Sequence, residues 1–213
     1  MEKECSAKII GIARHRIATD GEGVTTLVGF WGCPLRCQYC LNPQSLKEGE
    51  QFQTYTPAEL YEKVKIDQIY FLATNGGITF GGGEPLLHPN FLREFRELCG
   101  PQWNITLETC LNVPLEHLQR ANEAVDNYIV DIKEMNPEIY KRYTGKENHR
   151  VFENLKWLVE NTNPASILVR IPLIPDFNTE EENQKSEAFI RQMGIEKIDR
   201  FHYKKEINKT GNS

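Results

Sequence analysis

Apolar residues in this chain fall into short β-branched or aromatic runs, separated by stretches in which they recur at helical spacing. Val24 to Trp31 predicts a buried strand. Ile78 to Phe80, Asn104 to Glu108, Asn127 to Lys133 and Ile167 to Pro175 predict further strands, and Ile195 to Tyr203 a sixth. Residues 7–17 mix apolar and basic positions and predict an early strand or hairpin. Thr56-Pro57-Ala58-Glu59 opens a helix that runs to about Lys65, with Thr as N-cap, Pro at the first helical position and Glu three residues after the cap. From Phe91 to Cys99 the helical pattern sets Phe91, Leu92, Phe95 and Leu98 on one core face, and Val151 to Val159 is amphipathic. Asn178-Thr179-Glu180-Glu181 caps a last helix that stops near Met193-Gly194. Strand followed by helix about six times predicts an α/β fold with an open or partial parallel barrel. Barrels of this kind carry their chemistry on loops at the carboxyl ends of the strands.

Composition narrows the setting. A chain of 213 residues, 39% hydrophobic and 26% charged, suits a single globular domain over 1–213, with a core of about 8–205 and a polar tail at 204–213. A net charge of −5 argues against a nucleic-acid partner. No apolar run is long enough to span a bilayer, and Met1 to Cys5 lacks the apolar core of a signal peptide, so the expectation is a cytoplasmic protein without a membrane partner. Of the six cysteines, Cys5, Cys99 and Cys110 read as incidental free thiols in a reducing compartment.

The other three stand together in Cys33-Pro34-Leu35-Arg36-Cys37-Gln38-Tyr39-Cys40, spaced so that a short loop can turn all three sulfurs toward one metal centre. The set is one ligand short of a closed zinc site or a four-thiolate cluster, and no Cys or His follows until His88. A zinc-stabilised binding module is one reading, and a 4Fe-4S cluster with a free iron is the other. Gly81-Gly82-Gly83-Glu84-Pro85 lets backbone approach a ligand closely. Asp131 and Lys133, two apart in a strand, project to the same face, where opposite charges call for a polar ligand or for each other. Arg170 is the one charge in an apolar run, either snorkelling or facing a site. Glu108 ends a strand, and Thr19-Asp20-Gly21-Glu22-Gly23 is a turn by composition.

Gly32 to Cys40, followed by Asn42-Pro43, resembles the cluster loop of the radical S-adenosylmethionine (SAM) enzymes, in particular the activating enzymes of glycyl radical enzymes. Gly82, Gly83 and Glu84 match the Gly-Gly-Glu-Pro motif of that superfamily. Asp131 to Tyr140, with Thr144-Gly145 and Asn148-His149, closely resembles the activating-enzyme segment. The resemblance covers roughly residues 8–205 and implies a partial (β/α)6 barrel. It implies a 4Fe-4S cluster on Cys33, Cys37 and Cys40 whose open iron chelates SAM, an electron donor of the flavodoxin or ferredoxin type, and a 5'-deoxyadenosyl radical. A partner glycyl radical enzyme would lose a glycine hydrogen to that radical.

By the same resemblance Tyr39 packs on the adenine, Gly82, Gly83 and Glu84 hold the SAM amino group, and Asp131, Lys133, Arg170 and His202 address SAM. Glu108 stands where relatives carry Asp, with a monovalent cation nearby in some. Asp20 belongs to a turn that faces the partner's peptide in the family; a plain turn is the competing reading. Gly81 replaces a common Ser, and the ferredoxin-like insert of several relatives is missing. A radical SAM enzyme acting on a small molecule or peptide, similar to 7-carboxy-7-deazaguanine synthase, is the alternative within the superfamily.

Overall fold

The structure is a computed structural model that describes residues 5–47 and 51–203; the expected polar tail at 204–213 lies outside the described residues. The chain runs β1 (Ala7–Ile17), β2 (Val24–Phe30), β3 (Gln53–Tyr55), α1 (Pro57–Val64), α2 (Gln68–Thr74), β4 (Gly77–Gly82), α3 (Pro89–Cys99), β5 (Asn104–Thr109) and α4 (Leu115–Asn122). It continues through β6 (Asn127–Asp131), α5 (Pro137–Thr144), α6 (His149–Asn161), β7 (Ile167–Leu173), α7 (Glu180–Gln192) and β8 (Lys197–His202). The strands form one sheet in the order β3-β1-β2-β4-β5-β6-β7-β8. From β2 to β8 all neighbours are parallel, whereas β1 pairs antiparallel with both β2 and β3. The sheet stays open, ending in β3 and β8, so the expected open parallel barrel of six strands is present with an antiparallel pair added beside β2.

The two faces of this sheet differ chemically, and that difference creates the site. Val28, Phe30, Ile78, Phe80, Ile105, Leu107, Val130, Ile167, Val169 and Ile171 point outward and are fully buried under the helices. There Phe80 meets Phe30 and Phe95 edge-on, with ring centroids 5.6 and 5.2 Å away, and Leu60, Phe91, Leu118, Leu155 and Ile190 complete the layer. Removing a ring such as Phe80 would cost about 3–5 kcal/mol through lost burial and the cavity left behind. Residues of the opposite parity face inward, and there the apolar filling of an ordinary barrel gives way to Thr25, Thr79, Thr106, Gly81, Glu108, Asp131 and Arg170. Space and polarity are therefore concentrated on the concave face.

Local chemistry sets the helix ends. Thr56 and Thr179 each close a capping box, with Glu59 and Glu182 returning the bond, as their sequences predict. In α3, Phe91, Leu92 and Phe95 are buried, but Leu98 is 43% exposed and does not belong to the core face. Strand β6 ends at Asp131, two residues earlier than expected, because Ile132 donates its N–H to the Arg170 carbonyl and the chain then leaves the ladder. No helix among the described residues is long and apolar enough to cross a membrane.

Candidate functional site

The cysteine loop leaves the carboxyl end of β2 and is held from two sides. Arg36 and Gln38 donate their N–H groups to the carbonyls of Thr144 and Tyr143, at 2.9 and 3.1 Å, so the free carbonyls at the end of α5 dock the loop. On the other side Gly32 donates to Ser45 O at 2.8 Å, and Gly83 and Glu84 donate to Phe30 O and Gly32 O at 2.9 and 2.7 Å. A side chain on Gly83 would collide with the Gly32 and Phe30 carbonyls, and Gly82 takes a φ of +84° against the backbone of Gly29. Those two glycines thus serve first to let the β4 loop lie directly against the cysteine loop.

Between the loops is a cavity of about 140 Å³ lined by Cys33, Cys37, Cys40, Gly82, Gly83, Glu84, Glu108, Asp131, Lys133 and Arg170, together with Cys110 and Tyr203. Glu84 is buried at its back. One carboxylate oxygen accepts from Leu86 N at 3.1 Å and Thr109 Oγ1 at 2.9 Å, and the other from Cys110 N at 2.8 Å. Burial raises its pKa, opposed by those hydrogen bonds.

The inward charges pair with one another. Arg170 Nη1 donates to Glu108 Oε1 at 2.8 Å, and Lys133 Nζ to Asp131 Oδ2 at 2.8 Å. Burial pushes Glu108 up while Arg170 pulls it down. For Lys133 burial opposes the charge, yet Asp131 and the Cys37 sulfur hold the ammonium well above its ordinary pKa. The segment after β6 is fixed by Glu134, whose carboxylate accepts from Met135 N, Asn136 N, Ser186 Oγ and Asn178 Nδ2 at 2.7–3.1 Å. That anchor to α7 orients Asp131 and Lys133 from behind.

Three expected residues stand elsewhere. His202 sits exposed on the outer side of β8, beside Glu180, Asn183 and Arg200, because strand parity sends residues 201 and 203 inward instead. Tyr39 does not line the cavity. Its ring meets Phe177 edge-on at 5.8 Å and Tyr203 at 6.3 Å, and its hydroxyl donates to Asp176 at 3.2 Å, forming an aromatic wall beside the loop. Asp20 is buried in an ion pair with Arg16, and its carbonyl accepts from Thr79 Oγ1. Thr19 O accepts from Arg170 at 3.0 Å, so this turn is tied to the inward face of the sheet.

Two cavity residues escape a sequence reading. Cys110, taken as incidental, is buried in the cavity wall next to Cys33. Tyr203 closes the side nearest β8; alternation within that strand was the available signal.

Among the described residues no three His, Cys, Asp or Glu side chains converge on a single ion position. Cys33, Cys37 and Cys40 all line the one cavity, a donor set that would suit a cluster giving each thiolate a separate iron.

Known proteins share both the sequence and the architecture. The family model for the radical SAM superfamily matches residues 29–184. A pyruvate formate-lyase-activating enzyme of Listeria monocytogenes is 33% identical, over 86% of this chain and 77% of its own length. A (2S)-3-sulfopropanediol dehydratase activating enzyme of Klebsiella oxytoca is 29% identical, over 84% of this chain and 75% of its own. Among solved structures, Streptococcus suis SuiB bound to S-adenosylmethionine superimposes with a TM-score of 0.62 at 14% identity, over 88% of this chain and 44% of SuiB, a likeness of fold.

Proposed function

The chain belongs to the radical SAM superfamily and is a radical SAM enzyme of the glycyl-radical-activating kind; we propose that it cleaves SAM reductively at a 4Fe-4S cluster on Cys33, Cys37 and Cys40 and takes a hydrogen atom from a glycine of a partner enzyme. The observation that carries this reading is one cavity bounded by the three cysteines, the glycine run and the two inward ion pairs. When bound, the cluster supplies the electron and an open iron position.

The residues do the binding and orienting. Ligation requires thiolates, and burial pushes the Cys37 thiol up to about 12 with Lys133 opposing, so loading the site releases protons and is favoured by rising pH. The Glu84 carboxylate and the glycine backbone suit the SAM amino group, while Lys133 and Arg170 offer positive charge to its carboxylate. Arg170 already neutralises Glu108, so in this reading the guanidinium takes the place of the monovalent cation of some relatives. Tyr39 and Tyr203 give the adenine an aromatic wall. His202 takes no part.

A flavodoxin- or ferredoxin-type donor and the partner's glycine loop both have to reach this mouth, where Leu41 is 75% exposed beside Cys40. The test mixes anaerobic reduced protein, SAM and candidate glycyl radical enzymes. A glycyl radical signal by electron paramagnetic resonance on a large partner is the expected result. SAM turnover on a small substrate alone, with no radical on any protein, contradicts the proposal.

A further inference from the structure

Helix α2 is apolar on both of its sides. Phe71, and Asp67 just before the helix, turn inward and are fully buried. The outward side carries Ile66, Ile69, Tyr70 and Ala73, spaced i, i+3, i+4 and i+7, so they form one stripe, with Leu72 beside Ile69. The end of β1 widens it. The His15 ring meets Tyr70 edge-on at 4.9 Å, and Val24, the register partner of Ile17, donates its N–H to Thr74 Oγ1 at 2.9 Å, which brings Ile17 to the same edge. These five large side chains, Ile17, Ile66, Ile69, Tyr70 and Leu72, are 48–73% exposed. A helix that is apolar all round is normally covered on both sides, and scattered surface residues do not account for five contiguous ones.

The chemistry of the patch selects what covers it. No charged residue occurs from Gln68 to Asn75, and the charges at the margin are already paired, Lys65 with Glu62 at 2.5 Å and Arg14 with Asp67. A helix that lies on a membrane sets Lys and Arg beside its apolar face, and a charged partner needs an opposing charge to meet. This face offers neither. An uncharged apolar stripe is matched by another, and a two-fold axis supplies one from the same chain, because an isologous contact places a patch against its own copy.

Size and position agree with that. At about 200 Å² for a large side chain in full exposure, the five leave on the order of 600 Å² uncovered on each copy. Pairing two such faces buries about 1,200 Å², the lower limit of a specific stable interface. Helices α1 and α2 descend from the end of β3 to the amino end of β4, whereas the cysteine loop and Glu84 follow the carboxyl ends of β2 and β4. A pair joined through α2 therefore leaves both cavities open.

We propose that the outward face of α2 is a two-fold contact between copies of this chain, with Ile69 at its centre and Tyr70 and Leu72 flanking it. Sedimentation equilibrium of the full chain over a concentration series tests this, comparing wild type, I69E and L98E, the last placing the same charge on an exposed position of α3. The expected result is reversible monomer–dimer exchange in the wild type, with a dissociation constant on the order of micromolar. L98E should match it, and I69E should stay monomeric throughout. A wild type that remains monomeric into the millimolar range overturns the proposal, as does a dimer equally stable in I69E. If circular dichroism shows that I69E fails to fold, I66S takes its place and should weaken association about tenfold; unchanged affinity then overturns the proposal. A monomeric wild type that floats with phosphatidylcholine vesicles assigns the face to a membrane and overturns it too. Sedimentation needs no cluster, so this inference and the SAM reading fail separately.

Discussion

A Cβ on Gly81 would lie 2.5 Å from Oε2 of Glu108, so the missing side chain on β4 and the extra methylene on β5 occupy the same space. The two strands are parallel neighbours, and the residues face each other on the concave side. Gly81 thereby leaves the space that the Glu108 carboxylate fills on its way to Arg170.

Filling Gly81 alone should hurt, and shortening Glu108 at the same time should offset part of the cost. G81S forces Glu108 aside and is expected to lose about 1–3 kcal/mol through overpacking. G81S combined with E108D should recover part of that loss, giving a coupling of about 0.5–3 kcal/mol in a double-mutant cycle read by urea unfolding. Additive effects would break the link between the two positions.

R170Q leaves Glu108 without its positive partner. Complete burial would make this a loss of about 3–5 kcal/mol, and the partial exposure of both side chains reduces the expectation to about 2 kcal/mol at neutral pH. Burial already raises the Glu108 pKa above its ordinary 4.5, and losing Arg170 raises it further. The protonated form is the one the fold then tolerates, so the deficit should shrink as pH falls toward the acid range. A deficit independent of pH in thermal unfolding would contradict this.

Because Arg170 supplies the charge at Glu108, SAM affinity of the loaded protein should not change between sodium, potassium and choline salts at fixed ionic strength. Isothermal titration checks it, and a clear preference for a small monovalent cation would argue against the guanidinium's role.

A second prediction concerns pH and lies outside the site. Asp67, fully buried by surface accessibility, accepts from Arg14 Nε at 2.7 Å, from Thr26 Oγ1 at 3.0 Å and from His15 Nε2 at 3.0 Å, tying β1 to the helical layer. Burial raises its pKa, but the bonds from Arg14 and Thr26 outweigh that and hold it below its ordinary 3.8. A depressed carboxylate stabilises the fold above the unfolded value, and the contribution disappears as pH falls through the folded one. D67N should therefore cost about 2 kcal/mol at pH 7, and its stability should vary less than the wild type's below the ordinary aspartate range. Equal acid dependence in the two proteins would be the contrary result.

The parallel strands β2 and β4 to β7 were legible because their outward residues form the apolar runs a buried strand requires, and the capped helices because capping boxes are local. Helix α2 was not, since Ile69, Tyr70 and Leu72 are exposed and give no buried face to read. At the site, the cysteine loop, Glu84, Glu108, Asp131, Lys133 and Arg170 were visible as unusual residues at strand ends. His202 was misplaced by one step of strand parity, which a short strand with little burial contrast does not reveal. Cys110 was missed because only the adjacency of β4 and β5, acting through Glu84, brings it to the cavity wall. Pairings made across strands leave no trace in spacing.

The central claim is that a cluster left one protein ligand short binds SAM and splits it. The direct measurement is 5'-deoxyadenosine and methionine released from SAM by anaerobically reconstituted, dithionite-reduced protein, with iron, sulfide and zinc quantified in the same sample and C37A in parallel. The account predicts one 4Fe-4S equivalent and SAM cleavage in the wild type, both lost in C37A. Zinc in place of iron, or a full cluster that leaves SAM intact under reduction, would contradict it.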